Sequence, residues 1–182
     1  MNFLRRLFRW LFGRWRKSGK RGQDVQVVQA ANEIFLPQVV ALIAEGHTVT
    51  LPLRGRSMRP FLEDGRDKAL LEAVKETPCV GDAVLAEIWP GHFVLHRIVD
   101  IDGQRVTMRG DGNLGTETCR LEDVRAKATA FFRKGRSKPD RTDGRKWRIY
   151  SWWWTRLLPI RRYLLFALHP HIPRSLFPAR QK

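Results

Sequence analysis

Between residues 48 and 135 the sequence breaks into short runs of alternating or β-branched apolar residues, separated by turns that contain glycine. This pattern is typical of antiparallel β structure, because a strand with one buried face repeats every two residues. Asp102–Gly103 is a typical hairpin turn. Six short strands in about ninety residues predict a mainly β fold, a small twisted antiparallel barrel or sandwich. The predicted strands are 48–53, 68–74, 82–88, 93–101, 104–110 and 124–135.

A helix is predicted before the strands, over residues 24–45, with a kink or a division at Pro37. Gly46 is a suitable C-terminal stop. The residues predicted to face the core recur at helical spacing. They are Val28, Ala31, Ile34, Phe35, Val39, Leu42 and Ile43.

Charge divides the 182 residues into three parts. Residues 1–22 have a net charge of +8 and residues 133–182 of +12, whereas residues 23–132 have −4. We therefore predict a basic tail at 1–22, a central domain at 23–134 with its β part from 46, and a linker with a second basic tail at 135–182. The net charge of +16 belongs to the tails and not to the domain.

Both tails mix basic residues with aromatic and aliphatic ones; six of the seven tryptophans lie in them, and only Trp89 lies in the centre. The first tail, "NFLRRLFRWLFGRWR", predicts an amphipathic basic helix that lies on a membrane, or else packs on the protein's own core. No stretch meets the length and apolarity of a transmembrane span, and arginines interrupt any secretory h-region. We expect a peripheral membrane protein, held by both tails on an anionic surface and on the cytoplasmic face.

The two cysteines, Cys79 and Cys119, have the spacing neither of a metal site nor of a disulfide framework. Two buried, reduced thiols are predicted, with a single disulfide as the alternative. No metal or other cofactor is expected.

One serine and one histidine of the central domain are candidates for chemistry. Ser57 lies in a glycine-led turn, "RGRSMRP", and His96 lies inside a predicted strand. A serine needs a base that takes its proton, and histidine titrates near neutral pH. Taken singly, Ser57 is better interpreted as a turn residue, and His96 as a half-buried or an exposed strand residue. Only the fold decides whether they meet.

The segments "GRSMRPFLEDG", "VGDAVLAEI", "LHRIVDIDGQ" and "MRGDGN" occur in this order over residues 46–133. Together they resemble the clan of serine peptidases that contains the signal peptidases and the self-cleaving repressors. Where many members have a Lys before an Arg, this chain has His96 before Arg97, which is similar to the His-type signal-peptidase branch. The resemblance implies that Ser57 is the nucleophile and His96 its base.

The resemblance also implies an acid that orients the base, either Asp111 in the last Gly-Asp pair or Glu117. The branch usually has an Asp near the position of Glu117. In the family a serine hydroxyl often lies two positions before the nucleophile, where this chain has Gly55; the backbone N–H of Ser57 remains as an oxyanion donor.

Five residues around the nucleophile are predicted to contact substrate: Gly55, Arg56, Met58, Arg59 and Pro60. The arginines are interpreted as a solvated rim or as a site for a substrate carboxylate. The function expected is a serine endopeptidase that cleaves a membrane-associated or leader-bearing peptide. The alternative is an inactive membrane-associated scaffold or maturation protein on the same fold. Specific nucleic-acid binding is not expected, because only the net charge would indicate it.

Overall fold

The computed structural model describes residues 24–157 and residues 160, 161, 163 and 165, with side chains in the first helix from residue 34 onward. The predicted tail at 1–22 lies outside the described residues. Two α-helices flank eight strands, and a short 3-10 helix spans Leu121–Asp123. The elements are α1 (Asp24–Ala44), β1 (Val49–Pro52), β2 (Lys68–Glu72), β3 (Ala83–Trp89), β4 (His92–Asp102), β5 (Arg105–Arg109), β6 (Glu117–Arg120), β7 (Val124–Phe132), β8 (Asp140–Arg141) and α2 (Arg145–Arg156).

The strands form one antiparallel sheet in the order β1-β2-β7-β3-β4-β5-β6, with β8 paired to β7. The mainly β antiparallel prediction is confirmed, and each of the six predicted strands is present. The sheet is not closed into a barrel, contrary to that expectation: β1 and β6, the first and last strands of this order, do not pair with each other in the described chain. The sheet can stay open because the helices pack on the apolar face that a closed barrel would turn inward.

The central strand β3 explains how both faces of the sheet are covered. Ala83 and Leu85 belong to the larger core, whereas Val84 and Ala86 point to the opposite face and pack in a smaller core. The larger core also takes in residues from α1, from the segment after β1, and from α2. A strand that is buried on both faces is apolar without alternation, as "AVLA" is.

The helix α1 is continuous from Asp24 to Ala44 with Pro37 inside it. From residue 34 onward, where its side chains are described, the buried residues are Leu36, Val39 and Ile43; the predicted core residues Val28 and Ala31 lie before that point. The predicted core face was wrong in part, because Ile34, Phe35 and Leu42 are exposed. The sequence of α1 is apolar on more than one face, and a helix on a sheet buries one stripe, so periodicity could not select the stripe.

The helix α2 lies in the segment that the sequence indicates is a linker and a tail. Its inward residues Trp147, Tyr150 and Trp154 are buried at spacings of three and four. Trp147 packs against Phe61 and Phe131, with ring centroids 5.2 and 4.9 Å apart. The inner half of this helix is therefore part of the domain core. No helix in the described part of the chain is long and apolar enough to cross a bilayer.

Candidate active site

The turn that carries Ser57 belongs to the segment between β1 and β2, which closes on itself through backbone bonds. The Leu53 N–H donates to the Asp67 carbonyl, and the Gly65 N–H donates back to the Leu53 carbonyl, both at 2.9 Å. The Gly55 N–H donates to Asp64 Oδ1 at 3.0 Å, and Gly55 has a φ of +88°, which suits glycine. These three hydrogen bonds join the chain before the serine to the chain after it and thus fix the path of the turn.

A second turn, Gly110-Asp111-Gly112, lies directly against the first. The Gly112 N–H donates to the Ser57 carbonyl at 2.6 Å. A Cβ on Gly110 would lie 2.6 Å from that same carbonyl oxygen, and one on Gly112 would lie 2.6 Å from the Arg56 carbonyl oxygen. Because no side chain fits at these distances, both glycines are required by the close approach of two backbones. The position of Ser57 therefore depends on this second turn, here called the clamp turn.

His96 lies on β4 and is buried, with Nδ1 2.5 Å from Glu117 Oε2 at the start of β6. The contact with His96 lowers the pKa of Glu117, although its partial burial acts in the opposite direction. A lowered pKa keeps this carboxylate charged at neutral pH. The contact places a negative charge on the Nδ1 side of the imidazole. Nε2, the other ring nitrogen, does not take part in it.

Ser57 and His96 line the same cavity, whose volume is about 210 Å³. Its other walls are mainly apolar, and Arg54 and His92 are the basic residues that join His96 there. Within the described residues no hydrogen bond joins Ser57 to His96, and the Ser57 N–H donates to no other group. Ser57 and two histidines thus lie at one cavity.

Asp111 has a different environment from Glu117. Its carboxylate accepts two bonds from Arg97, at 2.9 and 2.7 Å, and one from the Tyr150 hydroxyl at 2.7 Å. Its carbonyl accepts from Trp154 Nε1 at 2.9 Å and from Arg161. Burial raises the pKa of Tyr150 well above its usual value, which keeps the hydroxyl a donor. Asp111 thus joins the clamp turn to α2 and β4, while His96 receives its carboxylate from Glu117.

The five predicted substrate-contacting residues fall into two groups. Gly55 and Met58 line the cavity with Ser57. Arg56 is exposed, Arg59 donates to Glu63 at 2.7 Å, and Pro60 is buried. The Arg59 guanidinium is thus engaged within the protein's own turn.

The sequence reasoning missed two basic residues of the cavity. Arg54 lies three residues before the serine, and His92 lies four residues before His96 on β4. The His92 ring stacks on Trp89, with ring centroids 3.9 Å apart. The available signal was strand periodicity, since residues four apart on one strand share a face.

Both cysteines are free, as predicted, but the prediction that they are buried was wrong, because neither is. Cys79 is exposed and Cys119 is partly buried. Burial raises the pKa of the Cys119 thiol to about 11. Among residues 24–157 and the four described beyond them, no group of three metal-binding side chains converges.

Comparison of the chain with models of protein families, with curated proteins and with solved structures finds no match.

Proposed function

We propose that this protein is a serine endopeptidase in which Ser57 is the nucleophile, His96 the general base and Glu117 the residue that orients the base. The observation that carries the proposal is the shared cavity of Ser57 and His96, together with the Glu117 contact on the far side of the imidazole. A fold of the signal-peptidase and repressor type is part of the proposal, and so is a leader-bearing or membrane-associated peptide as substrate.

The proposed reaction follows from proton positions. With Nδ1 protonated towards Glu117, the lone pair of His96 is on Nε2, where it accepts the Ser57 proton as the hydroxyl oxygen attacks the peptide carbonyl. The imidazolium then returns the proton to the leaving amine, and water hydrolyses the acyl-enzyme. The charged Glu117 stabilises the imidazolium through both steps.

The oxyanion needs a donor that costs no reorganisation. The Ser57 N–H fits this role because it is not used inside the turn. Gly55 has no hydroxyl to add a second donor. The clamp turn contributes by holding the Ser57 carbonyl, and with it the orientation of the neighbouring N–H groups.

Product formation from a mixed peptide library, read by mass spectrometry, tests the proposal. We expect activity in wild type and none above background in Ser57→Ala and His96→Ala. Glu117→Gln should lose on the order of 10²-fold or more in kcat, since an amide neither orients nor stabilises an imidazolium equally. The matched control is Glu122→Gln, an exposed glutamate paired with Arg120.

The second candidate is a catalytically inactive scaffold or maturation protein on the same fold. It is favoured by two observations, the lack of a hydrogen bond between Ser57 and His96 in the described structure and the missing hydroxyl at Gly55. The peptidase proposal requires the pair to close when substrate enters, as catalytic hydrogen bonds often do. Activity that is equal in wild type and Ser57→Ala would favour the scaffold.

A further inference from the structure

The helix α2 has an outward face as well as the buried one. Three large apolar residues of α2 point to solvent, and Ile160 and Tyr163 extend the surface beyond its end. We call these five residues the outer face. Their exposed fractions lie between 40% and 62%. They are Ile149, Trp152, Trp153, Ile160 and Tyr163.

Exposed arginines lie beside this apolar surface, and the sequence around it is strongly basic. After Asp143 the chain has nine Lys and Arg residues and no acidic residue. Arg145, Arg148 and Arg156 are exposed on α2 itself. The Arg156 guanidinium lies 4.1 Å from the centre of the Trp152 ring, so charge and indole form one surface.

The outer face cannot be turned into the protein's own core. The inward residues Trp147, Tyr150 and Trp154 are already buried, and Tyr150 and Trp154 are bonded to Asp111. The helix is thus held in a fixed rotation, which leaves the indoles of Trp152 and Trp153 exposed. Exposed aromatic surface in this amount is typical of an interaction site.

The positive charge beside the outer face indicates which kind of partner can bind there. Residues 1–22 of the same chain have a net charge of +8, and a second copy would present the same basic face, so both would be repelled. A surface with negative charge and an apolar layer beneath it satisfies the arginines and the indoles together.

We propose that the outer face binds the surface of an anionic bilayer, with Trp152 and Trp153 at the level of the headgroups. This places the membrane contact predicted for the whole C-terminal tail on one face of a helix whose other face belongs to the core. The proposal does not rest on catalysis, and Ser57→Ala should bind vesicles as wild type does.

Flotation of the full chain with phosphatidylcholine vesicles, with and without phosphatidylserine, tests the proposal. We expect binding to the anionic vesicles, and a loss of about tenfold or more in affinity when Trp152 and Trp153 are both changed to Ala. Trp89→Ala is the matched control, since this tryptophan is exposed on β3 and should leave binding unchanged. The thermal midpoint of each variant verifies folding.

Quenching of tryptophan fluorescence by brominated lipid separates this face from any contact made by residues 1–22. Changing Trp152 and Trp153 to Phe should remove part of the quenched signal, whereas Trp89→Phe should not. Anionic-vesicle affinity and quenching that both survive these double substitutions would overturn the proposal. So would an outer face that binds nucleic acid and not vesicles.

Discussion

The buried ion pair of Arg97 and Asp111 allows a quantitative test of how α2 is attached to the clamp turn. The two side chains are each 1% exposed. Asp111→Asn keeps the shape of the side chain and removes its charge. Three donors, two from Arg97 and one from Tyr150, then face a neutral amide.

The expected cost is large because the guanidinium stays buried. Arg97 would keep its bonds to the Gly81 carbonyl and to Ser151 Oγ, but it would lose its counter-charge. Breaking a buried pair from one side typically costs about 3–5 kcal/mol of the free energy of unfolding. For a domain of this size the thermal midpoint should fall by roughly 6–20 °C.

Thermal and urea unfolding, followed by circular dichroism, measure this change. Asp143→Asn is the matched control, because Asp143 accepts the same pair of bonds from Arg141, at 2.9 and 2.6 Å, on a fully exposed surface. The control should leave the midpoint unchanged within error, since solvent screens an exposed pair. Equal midpoints for the two variants would refute the argument that burial makes this pair structural.

Three further predictions concern single groups. Burial keeps Tyr150 neutral, whereas an unfolded tyrosine ionises at pH ~10. The free energy of unfolding should therefore fall as pH rises above that value, and Tyr150→Phe should flatten this dependence in urea titrations. Gly112→Ala should lower peptidase activity by about tenfold or more, because its Cβ would meet a carbonyl of the nucleophile turn; Gly115→Ala, with open space around it, is the control, and equal rates would contradict the clamp. Iodoacetamide at mildly alkaline pH should modify Cys79 well before Cys119, since the reactive thiolate is disfavoured at the higher pKa; mass spectrometry of tryptic peptides measures the order.

The strands could be predicted from the sequence because their signals are local. Short apolar or alternating runs and glycine turns mark β3, β4 and β5, and the hairpin at Gly103 joins the last two. The short strands β6 and β8 were missed, since four and two residues are too few to show a period.

The role of α2 could not be predicted, because composition does not tell which aromatic residue points inward. Trp152 and Trp153 differ from Trp154 only in rotation about the helix axis. That rotation is fixed by the bonds from Tyr150 and Trp154 to Asp111, about forty residues earlier in the chain. No periodicity connects positions so far apart.

The residues of the candidate site could be predicted from the sequence only in part. Ser57, His96 and Glu117 were named from motif order, and the structure brings Ser57 and His96 to one cavity and Glu117 to the His96 ring. The sequence did not predict the partners of Asp111, whose carboxylate accepts hydrogen bonds from Arg97 and Tyr150.

Covalent labelling of Ser57 by a fluorophosphonate tests the central claim most directly, because the probe needs an activated serine but no knowledge of the substrate. We predict that the labelled tryptic peptide is the one that contains Ser57, that the rate falls in His96→Ala, and that Ser57→Ala shows no label. Absence of labelling in the wild-type protein, or labelling at the same rate in His96→Ala, would contradict the proposed pair.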